Sequence, residues 1–185
     1  EFPLIWDIGN ITHNGEGTAI VTKRILHDNP GIPVKTIRRI FSERLGIAKL
    51  IIIDDDPEDR TGHIDWMVRF LGPKMIAVAK FPGECRELNQ FMEKIKRKID
   101  RELDPGFRII EVMNSLLIDE DNGDVGNAFG NHLNFLRLGT DVLMLPVYDV
   151  VTDAMAMNTL RKALPQCRIL PVDCSAISMK GGVLN

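Results

Sequence analysis

The sequence predicts an α/β protein built from a strand, strand, helix, strand unit used three times. Three observations predict it. Short apolar runs recur in pairs around turn-forming Asn, Gly and Pro. Each pair is followed by a stretch with apolar residues at helical spacing and then by one more short apolar run. No long Pro/Gly/Ser linker separates the repeats, which favours one assembly over a string of domains. The repeats run over residues 4–53, 63–112 and 133–172, with the start of a fourth at 181–185, all within a single domain spanning 1–185.

In the first repeat, residues 4–11 and 18–22 read as strands around Asn14-Gly15-Glu16-Gly17, a hairpin signal between apolar runs. Beyond Pro30 and Pro33, Ile37, Ile40, Phe41 and Leu45 recur at helical spacing with Lys35, Arg38, Arg39 and Glu43 between them, and Gly46 supplies a stop. Residues 50–53 read as a buried strand. The second repeat opens with a strand over 63–70, turns at Gly72-Pro73-Lys74 and returns over 75–80. Its helix, over 84–103, carries Leu88, Phe91, Met92, Ile95 and Ile99 as an apolar stripe among basic residues, and Asp104-Pro105-Gly106 ends it before a strand at 107–112. The third repeat runs through a strand at 133–138, a turn at 139–141, a strand at 142–147, a helix over 153–164 and a strand at 168–172. Between the second and third lies a segment over 114–130 rich in Asp, Asn and Gly, which reads either as a solvated loop or as an active-site rim.

Composition narrows the function classes. Hydrophobic residues make up 44% and charged residues 26%, ordinary for a globular domain with a sizeable core. A net charge of −3 offers no broad attraction for nucleic acid or for an anionic membrane. The apolar runs are far shorter than the roughly 20 residues that span a bilayer, so no membrane partner is expected. The first residues lack the basic start and apolar stretch of a signal peptide, and a start without Met reads as internal to a longer chain. Cys85, Cys167 and Cys174 are widely spaced, with no Cys-x-x-Cys pair and no His set at ligand spacing, which argues against a zinc site. All three read as buried, inert thiols.

Polar residues stand at corresponding places in the repeats: Asp7 and Asn10 in the first, His63 and Asp65 in the second, Asn134 in the third, and Gly181, Gly182 and Asn185 at the fourth. If the units surround a common axis, the starts of their first strands converge and these residues form one polar cluster. Four segments then carry a resemblance. Asp7-Ile-Gly-Asn10 resembles a Glu/Asp-Gly-Gly-Asn motif, Thr61-Gly-His-Ile-Asp65 matches Gly-His-x-Asp, Leu133-Asn-Phe135 resembles Tyr-x-Asn-Phe, and Gly181-Gly-Val-Leu-Asn185 resembles Gly-Gly-x-x-(Asn/His)-Cys. In this order they resemble the agmatine deiminase and Porphyromonas-type peptidylarginine deiminase family of guanidine-modifying enzymes.

The resemblance implies an α/β-propeller of the pentein type, with about three of five ββαβ blades present in a C-terminal fragment. It also implies hydrolytic deimination of agmatine or an arginine-type substrate to a ureido product and ammonia, without metal or organic cofactor. A guanidinium is planar and cationic, so a carboxylate in fork geometry must hold it; Asp65 is that clamp. Expulsion of ammonia needs a proton donor and the later water a base, both roles open to the imidazole of His63. Asp7 stands beside it by resemblance. Asn10, Asn134, Gly181 and Gly182 complete the binding set. The nucleophilic cysteine, which passes through a covalent thiouronium intermediate, is expected just after Asn185, so the chain alone is expected to be inactive. Ile8 replaces a Gly and His132 a common Tyr, which leaves the substrate preference open.

Blander readings stand beside these. Asp7 serves equally well as a turn residue beside Gly9-Asn10, Asn134 as a satisfier of backbone groups, and Gly181 and Gly182 as providers of positive φ or close approach. The run from Asp54 to Asp59 reads as a solvated acidic turn, and Trp66 as core or pocket wall. An amidinotransferase of the same fold and a catalytically degenerate binding domain are the alternative functions. The expected partner is a small guanidino molecule, with a homo-oligomer allowed and a cytoplasmic location expected.

Overall fold

The computed structural model describes residues 2–56, 59, 61–115, 128–148, 150–180 and 182–184. The sequence expectations for Gly181, Asn185 and residues 116–127 of the Asp/Asn/Gly-rich segment lie outside these described residues. The chain is α/β, and nine strands among the described residues form three small sheets ordered β1-β2-β3, β4-β5-β6 and β7-β8-β9. It falls into two compact units: Glu1–Ile76 with Glu93–Ile109, and Ala77–Met92 with Ile110–Asn185.

In the first unit, β1 (Thr12–His13) pairs antiparallel with β2 (Thr18–Thr22). The connecting turn is built by Asn14, whose Oδ1 accepts the N–H groups of Glu16 at 2.8 Å and Thr18 at 3.0 Å. After the short helix α1 (Arg24–His27) and α2 (Val34–Leu45), β3 (Lys49–Ile53) returns parallel to β2, with Thr18 opposite Lys49 and Thr22 opposite Ile53. Helix α2 starts behind Pro33 and ends where Gly46 turns left-handed at φ 68°, returning the N–H groups of Gly46 and Ile47 to the carbonyls of Ser42 and Phe41. Its Ile37, Ile40 and Phe41 pack with Ala19, Val21, Leu50 and Ile52 in one cluster. Ile20, Ile51 and Ile53, on the alternate positions of the same strands, are also fully buried. Two buried faces explain why β2 and β3 read as continuous apolar runs rather than alternating ones. Each such side chain contributes about 1.5–3 kcal/mol relative to exposure.

The middle elements are β4 (Val68–Gly72), β5 (Met75–Lys80), α3 (Arg86–Glu102) and β6 (Arg108–Met113). In the second unit, β7 (Leu136–Leu138) runs antiparallel to β8 (Val142–Val147). Helix α4 (Val151–Ala163) then leads to β9 (Arg168–Asp173), parallel to β8, and a short α5 (Ser175–Ser178) follows. Neither α1 nor α5 is signalled by apolar periodicity, because four residues are too few to show it.

One expectation needs correction in every repeat: the first strand is shorter than its apolar run. Residues 4–11 hold no strand. They end in a single 3-10 turn at Ile8–Asn10, and pairing begins only at Thr12. The strand expected over 63–70 begins at Val68, after a turn through residues 65–67, and the strand expected over 133–138 begins at Leu136. In each case polar side chains bond to nearby backbone and compete with the ladder. Those turns carry the candidate site residues.

Candidate active site

Asp7 sits in extended conformation at the head of the 3-10 turn and caps it, its Oδ1 accepting the Gly9 N–H at 2.9 Å. The same oxygen lies 3.2 Å from Nε2 of His63. The Gly9 N–H foremost, working against desolvation, and then the His63 charge and hydrogen bond hold the Asp7 carboxyl below its ordinary value. The third contact is steric. A Cβ on Gly9 would lie 2.4 Å from Nδ1, 2.5 Å from Cε1 and 2.9 Å from Cγ of His63, distances that place it over the face of the ring. The Gly9 carbonyl also accepts the Ile64 N–H at 3.1 Å. The imidazole is therefore held edge-on by a carboxylate and face-on by a glycine, with 28% of its side chain exposed. Among the described residues, Nδ1 has no hydrogen-bond partner.

The backbone under His63 is organised by Asp59. Its Oδ1 accepts the Thr61 N–H at 2.8 Å and the Thr61 hydroxyl at 2.7 Å, while Oδ2 accepts the His63 N–H at 3.1 Å and the Trp66 indole N–H at 3.2 Å. Asp59 belongs to the acidic run read from sequence as a solvated turn. That reading missed it, although an Asp two residues before Thr61 is the local signal of a side chain closing a turn. Trp66, with its indole bonded in this turn, is half-buried.

Asn10 is buried, 2% exposed, and its Oδ1 accepts the Thr22 N–H at 2.8 Å. The Thr22 hydroxyl lies 2.7 Å from the Gly62 carbonyl oxygen and 2.9 Å from Asn10 Oδ1, so its one proton serves two acceptors. Gly62 is left-handed at φ 64° and packs against Arg24, where a Cβ would come within 2.9 Å. Thus Asn10 and Thr22 tie the end of β2 to the loop that delivers His63. Asp65 is half-buried. Burial pushes the neighbouring Arg69 guanidinium down, and the negative charge of Asp65 acts against that. Ile8 projects into solvent at 86% exposure.

In the second unit Asn134 is 5% exposed, on a turn locked from within. Oδ1 of Asn114 accepts the His132 N–H at 3.1 Å, Oδ1 of Asn131 accepts the Leu133 N–H at 3.2 Å, and the Tyr148 hydroxyl donates to the Asn131 carbonyl at 3.0 Å. His132 is fully buried, with Nε2 2.8 Å from Asp153 Oδ1. Asp153 also accepts the N–H groups of Tyr148 at 3.0 Å and Val150 at 3.1 Å, closing the start of α4. Burial pushes the His132 imidazole down, against the Asp153 carboxylate, and pushes the Tyr148 hydroxyl up. Gly182 is exposed, is not left-handed, and would meet nothing within 4 Å with a Cβ among the described residues, so neither backbone reason for a glycine there is met.

A family model described as Porphyromonas-type peptidyl-arginine deiminase matches residues 1–185. The chain belongs to this family. C. jejuni agmatine deiminase is 25% identical and superposes with a TM-score of 0.82, covering 98% of this chain and 54% of its own. The agmatine deiminase of Enterococcus faecalis shares the fold at 20% identity, with a TM-score of 0.78 over 95% of this chain and 53% of its own. A curated relative from Marinomonas sp. (strain MWYL1), provisionally named agmatine deiminase, is 25% identical over 209 residues, covering 99% of this chain and 55% of itself. The chain spans about half the length of the curated relatives it matches.

Within this deiminase family member, burial pushes the Cys85 and Cys174 thiols up, away from the thiolate form. Cys167 is half-buried, with its Sγ 3.9 Å from the Arg168 carbonyl. Among the described residues no group of three or more His, Cys, Asp or Glu could hold a metal ion. No described helix is long and apolar enough to cross a membrane.

Proposed function

We propose that the protein hydrolyses a guanidino substrate, agmatine or an arginine-type compound, to a ureido product and ammonia. The observation that carries this reading is the His63 imidazole held at Nε2 by Asp7 and on its face by Gly9, within a family match running the length of the chain. In the reaction a cysteine thiolate attacks the central guanidinium carbon, the C–N bond to one amino group breaks, and ammonia leaves after taking a proton. Water then adds to the thiouronium carbon and expels the thiolate. With Nε2 committed to the carboxylate, Nδ1 is the nitrogen that gives the first proton and takes the second. Asp65 is the carboxylate assigned to the guanidinium, and Asn134 the amide assigned to the substrate from the third repeat. Asn10 serves through the backbone it holds. The corresponding fold is an α/β-propeller, and the repeated pattern of one antiparallel and one parallel strand pair in the first and third sheets supports it.

None of the three cysteines occupies the motif position of the nucleophile, which falls one residue beyond Asn185. Residues 1–185 alone should therefore release no ammonia. The residue encoded directly after Asn185 is the first check: cysteine supports the reading, and any other residue sinks it unless another thiol is alkylated by a guanidine-mimic inactivator. Ammonia release from agmatine without an added amine distinguishes hydrolysis from amidino transfer.

A further inference from the structure

We infer that Gly9 is a positioning residue for the histidine: the absence of its side chain makes the space in which the His63 ring lies, and its two peptide groups hold the ring's partners in register. The inference rests on the reading of His63 as the acid/base group, but its geometry stands alone. The bland explanation of a glycine in a tight turn is conformational, and it fails here. The backbone of Gly9 lies outside the left-handed region, so any residue adopts it. What forbids a side chain is the ring itself, since real Cβ atoms do not approach within 3.0 Å and a Cβ at Gly9 would stand 2.4 Å from Nδ1.

The other groups of Gly9 are engaged in the same task. Its N–H donates to Asp7 at 2.9 Å, setting the carboxylate that meets Nε2, and its carbonyl accepts from Ile64 at 3.1 Å, anchoring the residue after His63. One residue thus touches the acid, the ring and the backbone beyond the ring. An added methyl leaves the two peptide bonds chemically available but removes the place of the ring. Nε2 must then leave its position 3.2 Å from Asp7.

The test uses the chain as it exists, carrying Gly9→Ala, His63→Ala or both. The carboxyl of Asp7 is titrated by carbon NMR and global stability is followed in urea. In the parent, His63→Ala should move the Asp7 titration up towards its ordinary value, because His63 is one of the groups holding it low. Gly9→Ala should produce the same upward movement, and adding His63→Ala to it should produce no more. A Gly9→Ala chain in which His63→Ala still shifts Asp7 as in the parent overturns the assignment. If Gly9→Ala unfolds the chain, the double variant decides: removal of the ring should restore the urea midpoint towards that of His63→Ala alone, and failure to restore it places the clash elsewhere and overturns the assignment. In the catalytically complete enzyme Gly9→Ala should lower kcat on the order of 100-fold, as mispositioned catalytic groups do, with KM changed less than about threefold. An uncoupled pair with unaltered ammonia release would refute the acid/base role of His63 while supporting the steric assignment.

Discussion

Replacing Asp59 by Ala should loosen the loop that presents His63. The side chain accepts four hydrogen bonds, from the N–H and hydroxyl of Thr61, the N–H of His63 and the indole N–H of Trp66. The two Thr61 donors are exposed and exchange the carboxylate for water at little cost. The His63 and Trp66 donors are partly buried, and each loses about 1–1.5 kcal/mol. The Thr61 hydroxyl, 3.2 Å from the His63 N–H, recovers a little of this. The net cost is about 2 kcal/mol, which corresponds to roughly 30-fold faster opening of the loop. Hydrogen exchange at the Trp66 indole and the His63 amide, with urea unfolding beside it, measures both quantities. Asp59→Asn is the control for charge. It removes the negative charge but keeps one acceptor, so its cost should fall between parent and Ala. A cost below about 0.5 kcal/mol for Asp59→Ala, with Trp66 exchange unchanged, would show that Asp59 does not hold the loop.

Two other predictions follow from buried polar groups. Asn10→Ala leaves the Thr22 N–H buried without its acceptor at 2.8 Å, and should lower stability by about 1–3 kcal/mol in urea or thermal unfolding. His132 is buried with its imidazole held below the ordinary value of 6.5. The unfolded chain therefore binds more protons between the folded value and 6.5. The His132 contribution is complete above about 6.5 and is lost as pH falls towards the folded value, with a slope of at most about 1.4 kcal/mol per pH unit. Stability measured from pH 7 downwards should show this fall, and His132→Gln should remove it.

The regular elements could be read from the sequence because their causes are local. Strands β5 and β8 occupy residues 75–80 and 142–147 as expected, and Gly46 stops α2 where the apolar spacing ends. The turns before β1, β4 and β7 were read as strand because their apolar residues, such as Ile64 and Leu133, are buried as strand residues would be. What bends the chain there is polar and partly distant. Asn10 meets Thr22, Thr22 meets Gly62, and Gly9 meets His63, contacts that no window of sequence contains. His63 and Asp7 could be proposed from their motifs. Asp59 had only its place two residues before Thr61 as a signal, and the space above Gly9 shows only in the folded chain.

Among the described residues two histidine–carboxylate pairs meet through Nε2, and motif order alone does not explain why they should differ. His63 with Asp7 and His132 with Asp153 place Nε2 3.2 Å and 2.8 Å from a carboxylate oxygen. The difference lies in what surrounds them. His132 is sealed, Asp153 is bound to the backbone of Tyr148 and Val150, and charging that imidazole would require a cation in a buried site. His63 is partly open, and its carboxylate is 57% exposed. Its restraints come from Asp7, Gly9 and Asp59, which fix the ring and its backbone without covering Nδ1. A group that must donate and accept a proton in one cycle needs a fixed position and an unblocked nitrogen. Only the first pair meets both requirements. The second holds the turn bearing Asn134, and the same pair of functional groups is a structural tie there because burial disfavours the charged imidazole.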